Sequence, residues 1–158
     1  MAGSYRFRFV EHNKSHQFFG SNKSVLIRAT LIDGHGKVIL DEYCQPTSKI
    51  IFMRTQCHGI FQWEIIDKQS DEDLIRKIQE IIKDKIIIGH SLKYDLEVLK
   101  VSPPETKIRD TAERFSWTFR KHIPSLKELA KNKLGIEIQT GTHDSKEDAL
   151  AALKIFVS

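Results

Sequence analysis

Near its start the chain alternates Tyr5, Phe7, Phe9 and Glu11 against Arg6, Arg8 and Val10, the period of a strand, before the polar tract Asn13 to Lys23 that reads as a loop. Val25 to Ile32 and Val38 to Tyr43 are β-branched and aliphatic runs joined by Asp33-Gly34-His35-Gly36, whose glycines supply the positive φ that tight turns require. An antiparallel hairpin is predicted there. Ser70-Asp71-Glu72-Asp73 then opens a helix with Leu74, Ile75, Ile78, Ile81 and Ile82 on one face, closed by Lys83 to Lys85. Ile86 to Ile88 is too short and too uniformly apolar for a surface helix, and predicts a central strand buried on both faces. Ser91 is placed to cap a helix carrying Leu92, Leu96 and Leu99, which Pro103-Pro104 ends. Ser125 with Glu128 predicts a capping box for a helix with Leu126, Leu129, Ala130 and Leu134, stopped by Gly135. A last helix starts near Ser145 and carries Ala149, Ala152, Leu153 and Phe156. This order gives an α/β domain with a mixed sheet: an antiparallel unit of the first three strands, a parallel central strand, and flanking helices.

Composition narrows the class. At 158 residues, 40% hydrophobic and 29% charged, the chain fits one domain with a single core over 1–158, with Met1 to Ser4 read as a remnant of expression. The apolar runs stop after a few residues, far short of the roughly 18 a membrane helix needs, so no membrane partner is expected. Arg6 and Arg8 follow a start without an apolar centre, so no secretion signal is read. Cys44 and Cys57 do not make a disulfide framework, and Cys57-His58 lacks a second metal-binding pair. A reducing, intracellular setting is expected. The balance of 25 basic against 21 acidic residues leaves +4, compatible with a polyanionic partner.

Three positions stand out chemically. Asp95 falls on or beside the Leu92–Leu99 stripe, either as a helix-border residue in water or as a semi-buried ligand whose charge a divalent cation offsets. Asp148 shares a face with Ala152 and Ile155, either returning a hydrogen bond to a Ser145 cap or serving as a second ligand. His143 lies five residues earlier, as an exposed loop histidine or as a base held ahead of a helix-borne carboxylate. Glu11, ending the first strand, is either a solvated strand end or part of the same site. Among the basic residues of the second half, Lys93, Arg114, Arg120 and Lys121 accompany Phe115, Trp117 and Phe119, a mixture suited to phosphate contact and base stacking, or to a core loop with solvated charges. Ile50 to Met53 and Phe61-Gln62-Trp63 are the candidate apolar patch for a protein partner.

Gly89-His90-Ser91-Leu92-Lys93-Tyr94-Asp95, Arg109-Asp110-Thr111, Ser125-Leu126-Lys127-Glu128-Leu129 and His143-x4-Asp148-Ala149 together resemble the DEDDh 3′–5′ exonucleases, specifically the RNA exonucleases related to the interferon-induced exonuclease. The resemblance implies a ribonuclease-H-like fold with Mg²⁺ or Mn²⁺ held by four acidic residues, and a histidine that deprotonates the attacking water. It assigns Asp95 and Asp148 as metal ligands and His143 as the base. The family's first motif, Asp-x-Glu, is absent here; spacing from the hairpin gives Glu11 and Asn13 its two places, while matching Glu to Glu puts Phe9 in the first. Two functions follow: a 3′–5′ exonuclease on single-stranded RNA or DNA, weakened by the altered motif, or an inactive pseudo-exonuclease that binds RNA or a protein partner. Clustered carboxylates suit the former because two cations about 4 Å apart stabilise attacking and leaving oxygens together.

Overall fold

A computed structural model describes residues 5–10, 24–50, 55–118 and 122–158, with 5–10 and 118 as backbone alone. Glu11 to Lys23, Ile51 to Arg54 and Phe119 to Lys121 therefore lie outside the described residues, and with them the positions assigned to Glu11, Asn13, Arg120 and Lys121.

Strand β2 (Val25–Ile32) pairs antiparallel with β1 (Tyr5–Val10) on one edge and β3 (Val38–Tyr43) on the other. β4 (Ile87–Gly89) lies against β1 and pairs in parallel with β5 (Ile108–Asp110), a three-residue strand that the sequence pattern misses. The described strands thus form an antiparallel unit, β1-β2-β3, and a parallel unit, β4-β5, the two parts of the mixed arrangement predicted from the sequence. Helix α3 (Asp71–Ile82) and α4 (Leu92–Val98) cover one face. Leu74, Ile78, Leu92, Leu96 and Leu99 form one core there with Leu26, Ala29 and Leu31 of β2 and with Ile87. α7 (Ser145–Val157) covers the other face, where Ala149 and Leu153 meet Ile32 and Ile88. Adjacent residues Ile87 and Ile88 thus serve opposite layers, as expected of a strand buried on both sides.

β2 carries a bulge. Arg8 pairs with Arg28 but Phe9 pairs with Leu26, so Ile27 is the extra residue. Leu26 and Ala29 face one core across this interruption, while Ile27 turns to a separate cluster with Ile60 and Ile65. That cluster anchors two short helices, α1 (Thr55–His58) and α2 (Gln62–Ile65). Ser70 caps α3 by accepting the Asp73 N–H. The remaining helices are α5 (Thr111–Arg114) and α6 (Leu126–Leu129); after α6 the winding widens into a π-helical segment, Ala130–Leu134. Gly135 ends it at φ 66°, a left-handed conformation that suits a residue without Cβ. No helix among the described residues is long and apolar enough to cross a membrane.

Two predicted caps are replaced. Ser91 does not cap α4: it sits at φ 56°, and Asp110 from β5 reaches across to do so. The α7 cap is Asp144, whose carboxylate accepts the Lys146 N–H, while Ser145 turns inward. Asp148 is therefore not committed to a cap hydrogen bond with Ser145.

Candidate active site

The packing of Ala149 on Ile88 sets the first turn of α7 beside the C-terminal end of β4, from which α4 leads away. Each helix carries a buried carboxylate in its first turn: Asp95 is 8% exposed and Asp148 3%. Burying a carboxylate costs several kcal/mol unless partners or a cation offset it. Two contacts of Asp148 bear on the site. Its Oδ1 accepts from Gln139 Nε2 at 2.8 Å, and its Oδ2 lies 3.9 Å from His143 Nδ1. His143 itself is partly open to solvent, which leaves the ring accessible to water while its inner edge faces a shielded charge.

The His143 loop is gripped from both sides. Its backbone N–H donates to the Cys57 carbonyl of α1 at 3.0 Å. Thr142 packs onto Gly59, where a Cβ would come within 3.1 Å of it and where φ is 70°, so only glycine fits the seat without strain. On the α7 side, Asp144 lies 3.4 Å from Arg28, which also grips Asp41 through Nε (2.8 Å) and Nη2 (2.9 Å). Beneath this pair Thr30 Oγ1 donates to Asp41 at 2.9 Å and bonds Ser145 Oγ at 2.7 Å, fully buried. The hydrogen bond to Asp41 raises the Arg28 pKa against the effect of its burial. Burial pushes Asp41 upward, but the hydrogen bonds from Arg28 and Thr30 hold it below the ordinary carboxylate value. The hairpin thereby ties down the start of α7.

Asp95 is positioned by a second device. Asp110 Oδ1 accepts from the N–H groups of Ser91 and Ala112, both at 2.9 Å, and its Oδ2 accepts from Leu92 at 2.7 Å. One carboxylate thus ends two helices at once and fixes the turn preceding Asp95. Thr111 reinforces it by donating to the Gly89 carbonyl at 3.0 Å.

A protein-family model described as Exonuclease matches residues 24–156. The chain belongs to this exonuclease family. The match agrees with the resemblance to the DEDDh superfamily and spans both carboxylate-bearing helices. Among curated relatives, RNA exonuclease 4 of Gibberella zeae is 40% identical over 141 residues, covering 87% of this chain and 44% of the relative. RNA exonuclease 4 of Saccharomyces cerevisiae is 35% identical over 139 residues, covering 85% and 47%. The chain therefore spans about half the length of these relatives. A structure of the Saccharomyces cerevisiae Pan2 pseudoubiquitin hydrolase–RNA exonuclease module in complex with AAGGAA RNA superposes with a TM-score of 0.81 at 26% identity, covering 99% of this chain and 28% of that one.

Within the exonuclease domain the residues singled out from sequence separate into three groups. His143 and Asp148 are brought together, and Asp95 lies in the first turn of α4, the helix that follows β4. Lys93 is exposed, two residues before Asp95 in α4. Arg114 is engaged elsewhere: its guanidinium lies 5.4 Å from the Phe115 ring centre and 4.7 Å from that of Phe156, and it donates to the Phe156 carbonyl at 3.2 Å, closing the end of α7. Trp117, which the sequence leaves open as a core residue under a loop, is instead 91% exposed. Among the described residues no group of three or more His, Cys, Asp or Glu forms a ready cation cage. The donor chemistry nonetheless fits Mg²⁺ or Mn²⁺, since Asp95 and Asp148 offer hard carboxylate oxygens from a shielded rim. Sequence reading missed Gln139, Asp110 and the Thr30–Ser145 tie. Thr30 and Arg28 were visible as polar interruptions of the run Val25 to Ile32, and Asp110 stands at the centre of Arg109-Asp110-Thr111.

Proposed function

We propose that this domain is a metal-dependent 3′–5′ exonuclease acting on single-stranded RNA, with a rate reduced by the altered first motif. The observation that carries this reading is the pairing of a solvent-accessible imidazole with a shielded carboxylate, His143 Nδ1 to Asp148 Oδ2 at 3.9 Å, beside the end of β4, after which α4 carries the buried Asp95 in its first turn. Asp148 orients the His143 ring and offsets the charge the ring gains when it takes the proton of a water attacking the terminal phosphodiester. Asp95, Asp148 and Glu11, with Asn13 in the fourth place, are the residues that would hold Mg²⁺ or Mn²⁺, which supplies charge stabilisation to the attacked phosphate. Glu in place of a shorter Asp, and Asn in place of Glu, weaken that hold and account for a reduced rate. The RNA-exonuclease names of the relatives and the RNA-bound Pan2 module support RNA as the substrate class. Lys93, Arg120 and Lys121 are the proposed phosphate contacts, with exposed Trp117, three residues before Arg120 in the sequence, as a stacking surface; Arg114, engaged with Phe156, is not among them. The setting proposed is intracellular.

A 5′-labelled single-stranded RNA incubated with excess protein and Mn²⁺, beside the Asp95→Asn, Asp148→Asn double variant, tests this function. A ladder shortening from the 3′ end, absent in the variant, is the expected result. An intact oligonucleotide with folded protein overturns the catalytic reading and leaves a binding domain.

A further inference from the structure

Gln139 holds a backbone conformation that its side chain does not favour. It sits at φ 57°, in the left-handed region that residues with a Cβ rarely adopt. Three contacts keep it there: its N–H donates to Glu147 Oε2 at 3.0 Å, its carbonyl accepts from Lys127 Nζ at 3.3 Å, and its Nε2 donates to Asp148 Oδ1 at 2.8 Å. The first two anchor the loop to α7 and α6. The third reaches a carboxylate that also faces His143. The terminal torsion of a carboxylate is broad and twofold, and an amide donor held on Oδ1 restricts that rotation.

We propose that Gln139 is a positioning residue, its amide fixing Oδ1 of Asp148 so that Oδ2 is the oxygen turned toward His143 and available to a divalent cation. This rests on the exonuclease reading given above. A neutral amide suits that role, because a Lys or Arg at the same place would neutralise the charge that the cation needs, whereas a Gln directs the carboxylate and leaves its charge intact. The strained backbone follows from reach, because the left-handed turn brings the amide back onto α7.

Two measurements on the intact domain separate the possibilities, with Mn²⁺ alone as the probe. In metal-free protein, the side-chain amide resonance of Gln139 is expected to shift in Asp148→Asn; a resonance that stays in place shows the contact to be absent and overturns the proposal. Mn²⁺ titration followed by electron paramagnetic resonance then compares the parent with Gln139→Asn, Gln139→Leu and Asp148→Asn. Asn takes the left-handed backbone more readily than Gln but is one methylene short of Asp148. Gln139→Asn is therefore expected to ease the backbone but to withdraw the amide from Asp148 Oδ1, weakening Mn²⁺ binding about tenfold, with Gln139→Leu at least as weak. Parental Mn²⁺ affinity in both Gln139 variants, with weakened binding in Asp148→Asn, overturns the positioning role and keeps the metal site. Parental affinity in Asp148→Asn overturns the metal reading itself, and the proposal with it.

Discussion

Thr30→Val tests the tie between the hairpin and α7. Valine matches threonine in shape, so the core around this fully buried position is kept, and only the hydroxyl is lost. Its removal deprives Ser145 Oγ, in a residue 2% exposed, of its 2.7 Å partner, while Asp41 retains both Arg28 hydrogen bonds. Leaving a buried hydroxyl unsatisfied costs about 1–3 kcal/mol. Ser145→Ala alone leaves Thr30 bonded to Asp41 and is expected to cost only about 0.5–1.5 kcal/mol. The double variant has no orphaned hydroxyl, so its cost should fall below the sum of the singles by at least about 0.5 kcal/mol. Urea unfolding followed by circular dichroism reads all three. For a chain of this size the Thr30→Val loss corresponds to a melting temperature lower by about 2–12 °C. Costs that add to within about 0.3 kcal/mol would show that the two hydroxyls act independently, and the reasoning fails.

Asp110→Ala strips the first turns of α4 and α5 of a shared acceptor and is expected to destabilise by about 2–4 kcal/mol in thermal or chemical unfolding, with Asp110→Asn milder; equal effects would show that charge does not matter there. Of the two thiols, Cys57 is exposed and is expected to react at once with a chromogenic disulfide at pH 8, whereas burial, aided by Asp71, pushes the Cys44 thiol up to about 12, so it should react only on unfolding. Equal rates for both would contradict its burial. Glu128 is held down to about 2 by the Ser125 backbone N–H and hydroxyl and by His122, against an ordinary value of 4.5. Its folded pKa being depressed, its contribution is present above about pH 4.5 and is lost as pH falls toward 2. Glu128→Gln should therefore flatten the acid limb of the stability profile in that window while leaving its neutral region nearly level; an unchanged acid limb would remove Glu128 from the account.

What the sequence made legible follows the physics of each signal. α3 could be read because its period is long and its cap is local, Ser70 to Asp73. β5 could not, because three partly buried residues carry no period. Ser91 and Ser145 look like caps since both precede helices, but Asp110 and Asp144 displaced them, one from a distant strand and the other by one position. The site divides the same way. Asp95, His143 and Asp148 are legible as residues that contradict an apolar stripe or match a motif. Gln139 is not, and Thr30 shows only as a polar interruption of its strand, since their partners are 9 and 115 residues away respectively.

The bulge at Ile27 makes β2 a strand with two reading frames. Ahead of it Leu26 serves the α3/α4 layer; beyond it the odd-numbered Ala29 and Leu31 do. Ile27, the residue between frames, is what attaches α1 and α2, and α1 in turn holds the His143 loop through Cys57. Losing this single residue is consequently a different event from replacing it. Substitution shrinks one contact and keeps both frames, whereas deletion merges them into one regular strand, with Leu26 and Ala29 still on a common face but without the residue that anchors the segment steadying the imidazole. Length, at this one place in the strand, carries information that residue identity does not.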